Sequence, residues 1–152
     1  MDGRGTMLVL GVMVPRLPRV VSGGTMTVRA ILLVEDNPDE VQLVCEALAS
    51  VDAAIPVQVA PSIESAWALL QAADGAGLPA LVVTDHHLPD GHGQDLIARL
   101  RGCPVRSHLP VVMVSGDAAR PADLAQVSWF AKPDTWSGWC SLARELAKRT
   151  GR

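Results

Sequence analysis

The sequence LVVTDHHLPDGHG, from Leu81 to Gly93, joins a short apolar run to a polar turn that contains proline and glycine. Leu81–Thr84 has the composition of a buried strand, and the proline and glycines behind it turn the chain away. Asp85 therefore stands at the carboxyl end of a predicted strand. In open α/β sheets this is the edge at which ligands bind.

Strand and helix patterns alternate on both sides of this stretch. Apolar runs predict five strands, at 31–34, 57–60, 81–84, 109–114 and 127–131. Amphipathic stripes predict a helix after each of the first three strands and at about 136–148, with only a brief helical patch at 122–126. We expect one parallel sheet covered by helices on both faces, in the common flavodoxin-like, doubly wound order 2-1-3-4-5, with a shortened fourth helix.

Composition limits the class of protein. The 152 residues are 49% hydrophobic and carry a formal net charge of -3, of which residues 1–29 contribute +3 and the rest therefore -6. An acidic body is a poor binder of nucleic acid, and no apolar run reaches the length of a membrane span. The three cysteines lack a metal-type spacing, which favours a reduced, cytoplasmic compartment.

The first 28 residues do not follow the strand and helix pattern. They contain two prolines and a Gly-Gly pair, which interrupt any helix. A secretory signal would need a small-residue cleavage site behind residues 7–14, where Arg16 and Arg19 lie instead. We therefore divide the chain into a flexible or over-extended segment at 1–28 and one folded domain at 29–150.

The expected strand order brings polar residues together at one edge of the sheet. Glu35 and Asp36 follow the first strand, next to Asp85, while Ser115 and Lys132 follow the fourth and fifth strands. Neighbouring carboxylates repel one another unless a cation is present. Oxygen ligands favour a hard dication, and Mg²⁺ accepts one or two carboxylates together with a phosphoryl oxygen.

Phosphoryl chemistry follows from such a site. Asp85 can act as the nucleophile that becomes an aspartyl phosphate. Mg²⁺ and the Lys132 ammonium would offset charge on the phosphoryl oxygens, and Ser115 can donate a hydrogen bond to one of them.

These motifs resemble those of the response regulator receiver domain over about residues 29–149. The decapeptide ILLVEDNPDE at 31–40 is similar to the family's first strand and acidic pair, and Asp85 with the turn behind it resembles its phosphoacceptor loop. Ser115 takes the family's Ser/Thr position, and Lys132-Pro133 resembles its Lys-Pro step, where the peptide bond is usually cis. Within the family, the chain looks most like the small stand-alone regulators paired with bacterial phytochrome kinases.

The resemblance implies a metal site and a partner. Asp36 and Asp85 would bind Mg²⁺ through their side chains and Glu35 mainly through water, with the backbone carbonyl of His87 as a further ligand. Asp85 would take the phosphoryl group from a sensor histidine kinase. The chain would then catalyse only its own phosphorylation and dephosphorylation and would not otherwise be an enzyme.

The resemblance also implies switching and tuning residues. Trp129, three residues before the lysine, would rearrange behind Ser115 when the latter moves towards the phosphate. His87 and Asp117 face the phosphate and its attacking water, where we expect them to set its lifetime. The leading hypothesis is thus a single-domain two-component regulator that signals through protein contacts, including a homodimer.

Other functions stay open. A relay receiver would pass its phosphoryl group to a phosphotransfer protein. A small-molecule phosphatase would also use an aspartyl phosphate, but the haloacid dehalogenase family has Asp-x-Asp where this chain reads Asp36-Asn-Pro-Asp39. A flavin or nucleotide module would need a glycine-rich loop after the first strand, and a degenerate receiver is disfavoured because all five chemical positions are filled.

Two further groups of polar residues are interpreted as structural. The neighbours His86 and His87, with His92, are not expected to bind zinc, because adjacent side chains at a strand end point in opposite directions. Acidic residues near helix starts, among them Glu40 and Asp90, are expected to be solvated and to interact favourably with the helix dipole.

Overall fold

The computed structural model describes residues 6–9, 12–15, 29–52, 54–116 and 127–151. Within the N-terminal segment, Thr6–Val9 and Val12–Pro15 pair as an antiparallel hairpin that is separate from the main sheet. The division of the chain after residue 28 stays a prediction.

The main sheet has five parallel strands. We number them β1 to β5, and they span Ile31–Val34, Val57–Ala60, Leu81–Thr84, Val111–Ser115 and Ser128–Ala131. Their order is β2-β1-β3-β4-β5, and every neighbouring pair is parallel. The predicted flavodoxin-like, doubly wound sheet with order 2-1-3-4-5 is confirmed.

Four α-helices lie in the described part of the chain. We number them α1 to α4, and they span Pro38–Val51, Ile63–Ala72, Gly93–Arg101 and Trp136–Arg149. The brief helical patch predicted at 122–126 lies outside the described residues, so the shortening of that helix stays a prediction. Among the described helices, none is both long and apolar enough to cross a bilayer.

Two apolar clusters cover the two faces of the sheet. Successive side chains of β1 point to opposite faces: Ile31 and Leu33 join the cluster under α1 and α4, whereas Leu32 and Val34 join the cluster under α2 and α3. All four side chains of β1 are buried, which explains why the strand reads as a continuous apolar run. The rigid two-sided core fixes the level at which each strand ends.

Local signals start α1 directly behind β1. The Asn37 side chain accepts a hydrogen bond from the Asp39 N–H, and Pro38 occupies the first turn, where a missing N–H has no cost. The chain therefore has only a short turn between β1 and α1. Glu35 and Asp36 are held in that turn above the edge of the sheet.

The loop between β3 and α3 contains a small hairpin. His87–Leu88 pairs with Gly91–His92, and Asp90 at its tip accepts hydrogen bonds from the backbone N–H groups of Ile63 and Glu64, at 2.9 and 3.0 Å. Asp90 is exposed, as predicted for a solvated acid, but it caps a helix distant in sequence. The bond from Ile63 lowers the pKa of Asp90. This contact ties the loop to the start of α2.

Gly93, the first residue of α3, lies against the main chain directly behind β3. A Cβ atom at this position would lie 2.3 Å from the Asp85 carbonyl oxygen and 3.0 Å from Met113 Cε. No side chain fits there unless the main chain of Asp85 moves. The glycine is thus required by close packing beside the predicted site.

We expect Gly93→Ala to lower the free energy of unfolding by about 1–3 kcal/mol, because overpacking forces the backbone to shift. Urea denaturation measures this difference. Gly77→Ala is the matched control, since the nearest atom to its added Cβ is Ala73 Cβ at 3.9 Å. Equal losses of stability in the two variants would contradict the packing argument.

Candidate functional site

The parallel hydrogen bonding continues past the ends of the strands and aligns the predicted site residues. The Asp85 N–H donates to the Val34 carbonyl at 3.0 Å, and the Lys132 N–H donates to the Ser115 carbonyl at 2.9 Å. Each of these residues is thereby fixed at the carboxyl edge of the sheet. Their side chains start from the same level, although they come from distant parts of the chain.

Three carboxylates meet at this edge. One oxygen of each of Glu35, Asp36 and Asp85 lies within 4.8 Å of the others. In the described part of the chain, no other group of three or more His, Cys, Asp or Glu residues has ligand atoms gathered for a metal ion. Glu35 is buried, Asp36 is exposed and Asp85 is half-buried. The structure thus brings together the three side chains that the sequence predicted as metal ligands.

The Lys132 ammonium lies among these acids. Its Nζ is 3.3 Å from Asp85 Oδ2, 3.5 Å from Glu35 Oε2 and 2.5 Å from Glu40 Oε2. Burial lowers the pKa of Lys132, but the neighbouring carboxylates outweigh burial, and the pKa is raised above its usual value. Lys132 is therefore a permanent positive charge in this site.

Glu40 is the site residue that the sequence interpretation missed. Its expected role as a solvated acid is wrong, because its carboxylate contacts Lys132 and its side chain is only 24% exposed. The signal lay in the helical spacing: Glu40 is four residues before Val44 and eight before Leu48, both buried, and so belongs to the face of α1 that packs on the sheet. An acid on that face points to the sheet edge.

The arrangement holds more negative than positive charge. Burial and the nearby Asp85 carboxylate raise the pKa of Glu35 to about 8. Three carboxylates contact one ammonium and a fourth, that of Asp36, lies beside two of them, so a divalent cation bound among them would relieve their repulsion. The donors are all carboxylate oxygens, which suit a hard cation such as Mg²⁺ or Mn²⁺. The residues present therefore fit a divalent metal ion.

Backbone and side-chain contacts fix the orientation of Asp85. The His86 N–H donates to Asp85 Oδ1 at 2.7 Å, while Lys132 contacts Oδ2. Thr84 is buried, and its hydroxyl donates to the Asp85 carbonyl at 2.9 Å. The carboxylate is thereby held in one position for an approaching group.

Ser115 and Trp129 lie on the two strands at the Lys132 side of the site. Ser115 is buried at the end of β4, where it pairs in register with Ala131, the residue before the lysine. Trp129 is half-buried on β5 against the cluster under α2 and α3. Their catalytic and switching roles stay predictions, and Asp117 lies outside the described residues. The Lys132-Pro133 peptide bond is trans, in contrast to the family pattern.

The three histidines gather at the rim of the site. The ring centroids of His86, His87 and His92 are 4.4 to 5.4 Å apart. The expectation that adjacent side chains point apart is wrong for His86 and His87, whose ring centroids are 4.4 Å apart. His92 joins them because it pairs with His87 across the small hairpin. They do not form a metal-binding group of the kind that the carboxylates form. The metal-binding role of the His87 carbonyl stays a prediction.

Known proteins resemble this chain in sequence. Residues 31–128 match the family model of the response regulator receiver domain. An uncharacterized 14.6 kDa protein in the sodA1 3' region of Leptolyngbya boryana is 34% identical over 94 residues, which cover 62% of this chain and 67% of that protein. The match to the family model ends before Lys132, which the fold brings back to the site.

Solved structures resemble it in fold. The bacteriophytochrome response regulator AtBRR is 28% identical, with a TM-score of 0.67 over 83% of this chain and 94% of that chain. The phosphorylated cyanobacterial phytochrome response regulator RcpA has a TM-score of 0.69 at 24% identity, covering 79% of this chain and 91% of its own. The Mn²⁺-bound form of the response regulator Rcp1 has a TM-score of 0.67 at 22% identity, covering 79% and 92%. The predicted likeness to regulators of this kind is confirmed.

We expect MgCl₂ to raise the melting temperature of the wild-type chain, because a ligand that binds only the folded state stabilises it. Asp36→Asn should lose most of this shift, since it removes one of the three clustered carboxylates. Asp39→Asn, which removes the same charge from an exposed residue of α1, should retain it. Differential scanning fluorimetry at constant ionic strength makes the comparison, and an undiminished shift in Asp36→Asn would place the ion elsewhere.

Proposed function

Because this chain belongs to the response regulator receiver family, we propose that it is a signalling protein phosphorylated on Asp85 by a histidine kinase with Mg²⁺. The observation that carries the proposal is the convergence of opposite charges on Asp85. Lys132 lies 3.3 Å from its carboxylate, and Glu35 and Asp36 complete a cluster suited to a dication. This is the charge pattern that transfer of a phosphoryl group requires.

The reaction would be an in-line displacement at phosphorus. A carboxylate oxygen of Asp85 attacks the phosphorus of a kinase phosphohistidine, a P–O bond forms as the P–N bond breaks, and the leaving imidazole nitrogen keeps the bonding electron pair and takes up a proton. The bond from the His86 N–H holds the carboxylate in place during the attack. Lys132 contacts a phosphoryl oxygen, and Ser115 donates a hydrogen bond to another.

The acidic cluster gives this reaction its cation. Asp36 and Asp85 would bind Mg²⁺ through their side chains, Glu35 mainly through water, and the His87 carbonyl would complete the protein ligands. When bound, Mg²⁺ offsets charge on the phosphoryl oxygens. Burial, and after it the nearby Asp85 carboxylate, raises the pKa of Glu35, so a cation bound beside it would favour its ionised form.

The output would be a change of shape read by protein partners. Ser115 would move towards the phosphoryl group, and Trp129 would rearrange behind it. The Trp129 ring lies 6.2 Å from the His86 ring, so the site and the aromatic group are already close. His87, exposed at the rim, and Asp117 would influence the water that hydrolyses the aspartyl phosphate.

The proposed kinase is of the bacterial phytochrome type. AtBRR, a bacteriophytochrome response regulator, supports this choice through its 28% identity. Output through protein contacts, including a homodimer, is proposed over nucleic acid binding because the folded body is acidic. The proposal includes a cytoplasmic location, where phosphohistidine is made from ATP.

A phosphorylated phytochrome kinase should transfer its phosphoryl group to this chain faster than kinases of other sensor types do.

Incubation of the wild-type chain with acetyl phosphate and Mg²⁺ should add one labile phosphoryl group, because Asp85 is held next to Lys132 and the acidic cluster. Intact-protein mass spectrometry detects the added mass, and removal by hydroxylamine identifies an acyl phosphate. Asp85→Asn should remain unlabelled while its circular dichroism spectrum stays that of the wild type. Equal labelling of the two proteins would contradict the proposal.

A further inference from the structure

The Lys132 ammonium is shared unequally among its carboxylate neighbours. Its contact with Glu40, at 2.5 Å, is shorter than its contacts with Asp85 and Glu35, at 3.3 and 3.5 Å. The Lys132 side chain is 18% exposed and that of Glu40 is 24% exposed. Solvent therefore screens this ion pair less than it screens a pair on the open surface.

The surroundings leave the ammonium few alternatives. Lys132 lines a small recess whose other side chains are mostly apolar, among them Val44 from α1, Val114 from β4 and Trp139 from α4. The acceptors in the same lining are the carboxylates already described and the Thr84 hydroxyl, and the apolar side chains strengthen the charge interactions beside them. Lys132 is thus poised between Glu40, on the α1 side, and Asp85, on the β3 side.

Phosphorylation changes the balance between these two partners. An aspartyl phosphate would carry a phosphoryl group of about two negative charges at neutral pH. Lys132 must contact that group to offset its charge. The ammonium has only three N–H donors, so the acceptors around it compete for them. The closest competing acceptor is Glu40.

We propose that Glu40 is a positioning residue that holds the Lys132 ammonium in the unphosphorylated protein and competes with the phosphoryl group for it. This inference rests on the proposed phosphorylation of Asp85. The charge of Glu40 slows phosphorylation because it keeps the Lys132 ammonium turned towards α1. The buried residues Val44 and Leu48 hold α1 on the core and thereby fix the position of the Glu40 carboxylate.

The test compares rates of phosphorylation by acetyl phosphate in the presence of Mg²⁺. Glu40→Gln keeps the size of the side chain and removes its charge, and we expect it to be phosphorylated about fivefold faster than the wild type. Glu40→Asp, which keeps the charge, should be close to the wild type. Glu46→Gln is the matched control, because it removes the same charge from an exposed residue of the same helix.

A merely structural role for Glu40 would not produce this pattern. Loss of packing can slow the reaction or lower the melting temperature, but it does not accelerate phosphorylation. Equal rates in the wild type, Glu40→Gln and Glu46→Gln would overturn the inference and leave the role of Asp85 intact. A slower Glu40→Gln would also overturn it. Failure of the wild type to be labelled would instead refute the proposed function, and the inference with it.

A double-mutant cycle separates competition for the ammonium from simple repulsion of the phosphoryl group. If Glu40 acts through Lys132, the gain from Glu40→Gln should disappear in a Lys132→Met background. The same gain in that background would show that Glu40 acts directly on the phosphoryl group, and it would refute the positioning role.

Discussion

An excess of carboxylates around one ammonium group, at the edge of a parallel sheet, is the constraint on which the site depends. Glu35, Glu40 and Asp85 contact Lys132, and Asp36 lies beside Glu35 and Asp85. Burial, together with the nearby Asp85 charge, raises the pKa of Glu35 to about 8. Such a cluster is stable only if positive charge is added or a proton is taken up. It is therefore prepared for a divalent cation and, with that cation, for an incoming phosphoryl group.

The fold brings these charges together from three separate stretches of sequence, around residues 35–40, 85 and 132. Parallel pairing of β1 with β3 and of β4 with β5 brings the residues behind each strand to one level. The two apolar clusters hold that register, and the close approach of Gly93 to the Asp85 carbonyl leaves the main chain of the site little freedom. Stability and chemistry thus depend on the same few contacts.

Much of this could be predicted from the sequence, for physical reasons. Continuous apolar runs indicated strands buried on both faces, and the turn behind Asp85 indicated a sheet edge. Glu40 was missed because an acid in the first turn of a helix is usually exposed to solvent and interacts favourably with the helix dipole. Only the spacing of Glu40 to Val44 and Leu48 shows that it faces the sheet. The grouping of the histidines was missed because strands as short as His87–Leu88 leave no periodicity to read.

The most direct test of this account is a crystal structure of the chain with Mg²⁺ and beryllofluoride, a mimic of the phosphoryl group. We expect beryllium bonded to a carboxylate oxygen of Asp85, the metal ion in contact with Asp36 and Asp85, and Lys132 Nζ within hydrogen-bond distance of a fluoride. Beryllofluoride bound elsewhere, or a Lys132 ammonium that makes no contact with it, would contradict the role of Asp85 as the phosphoryl acceptor beside Lys132.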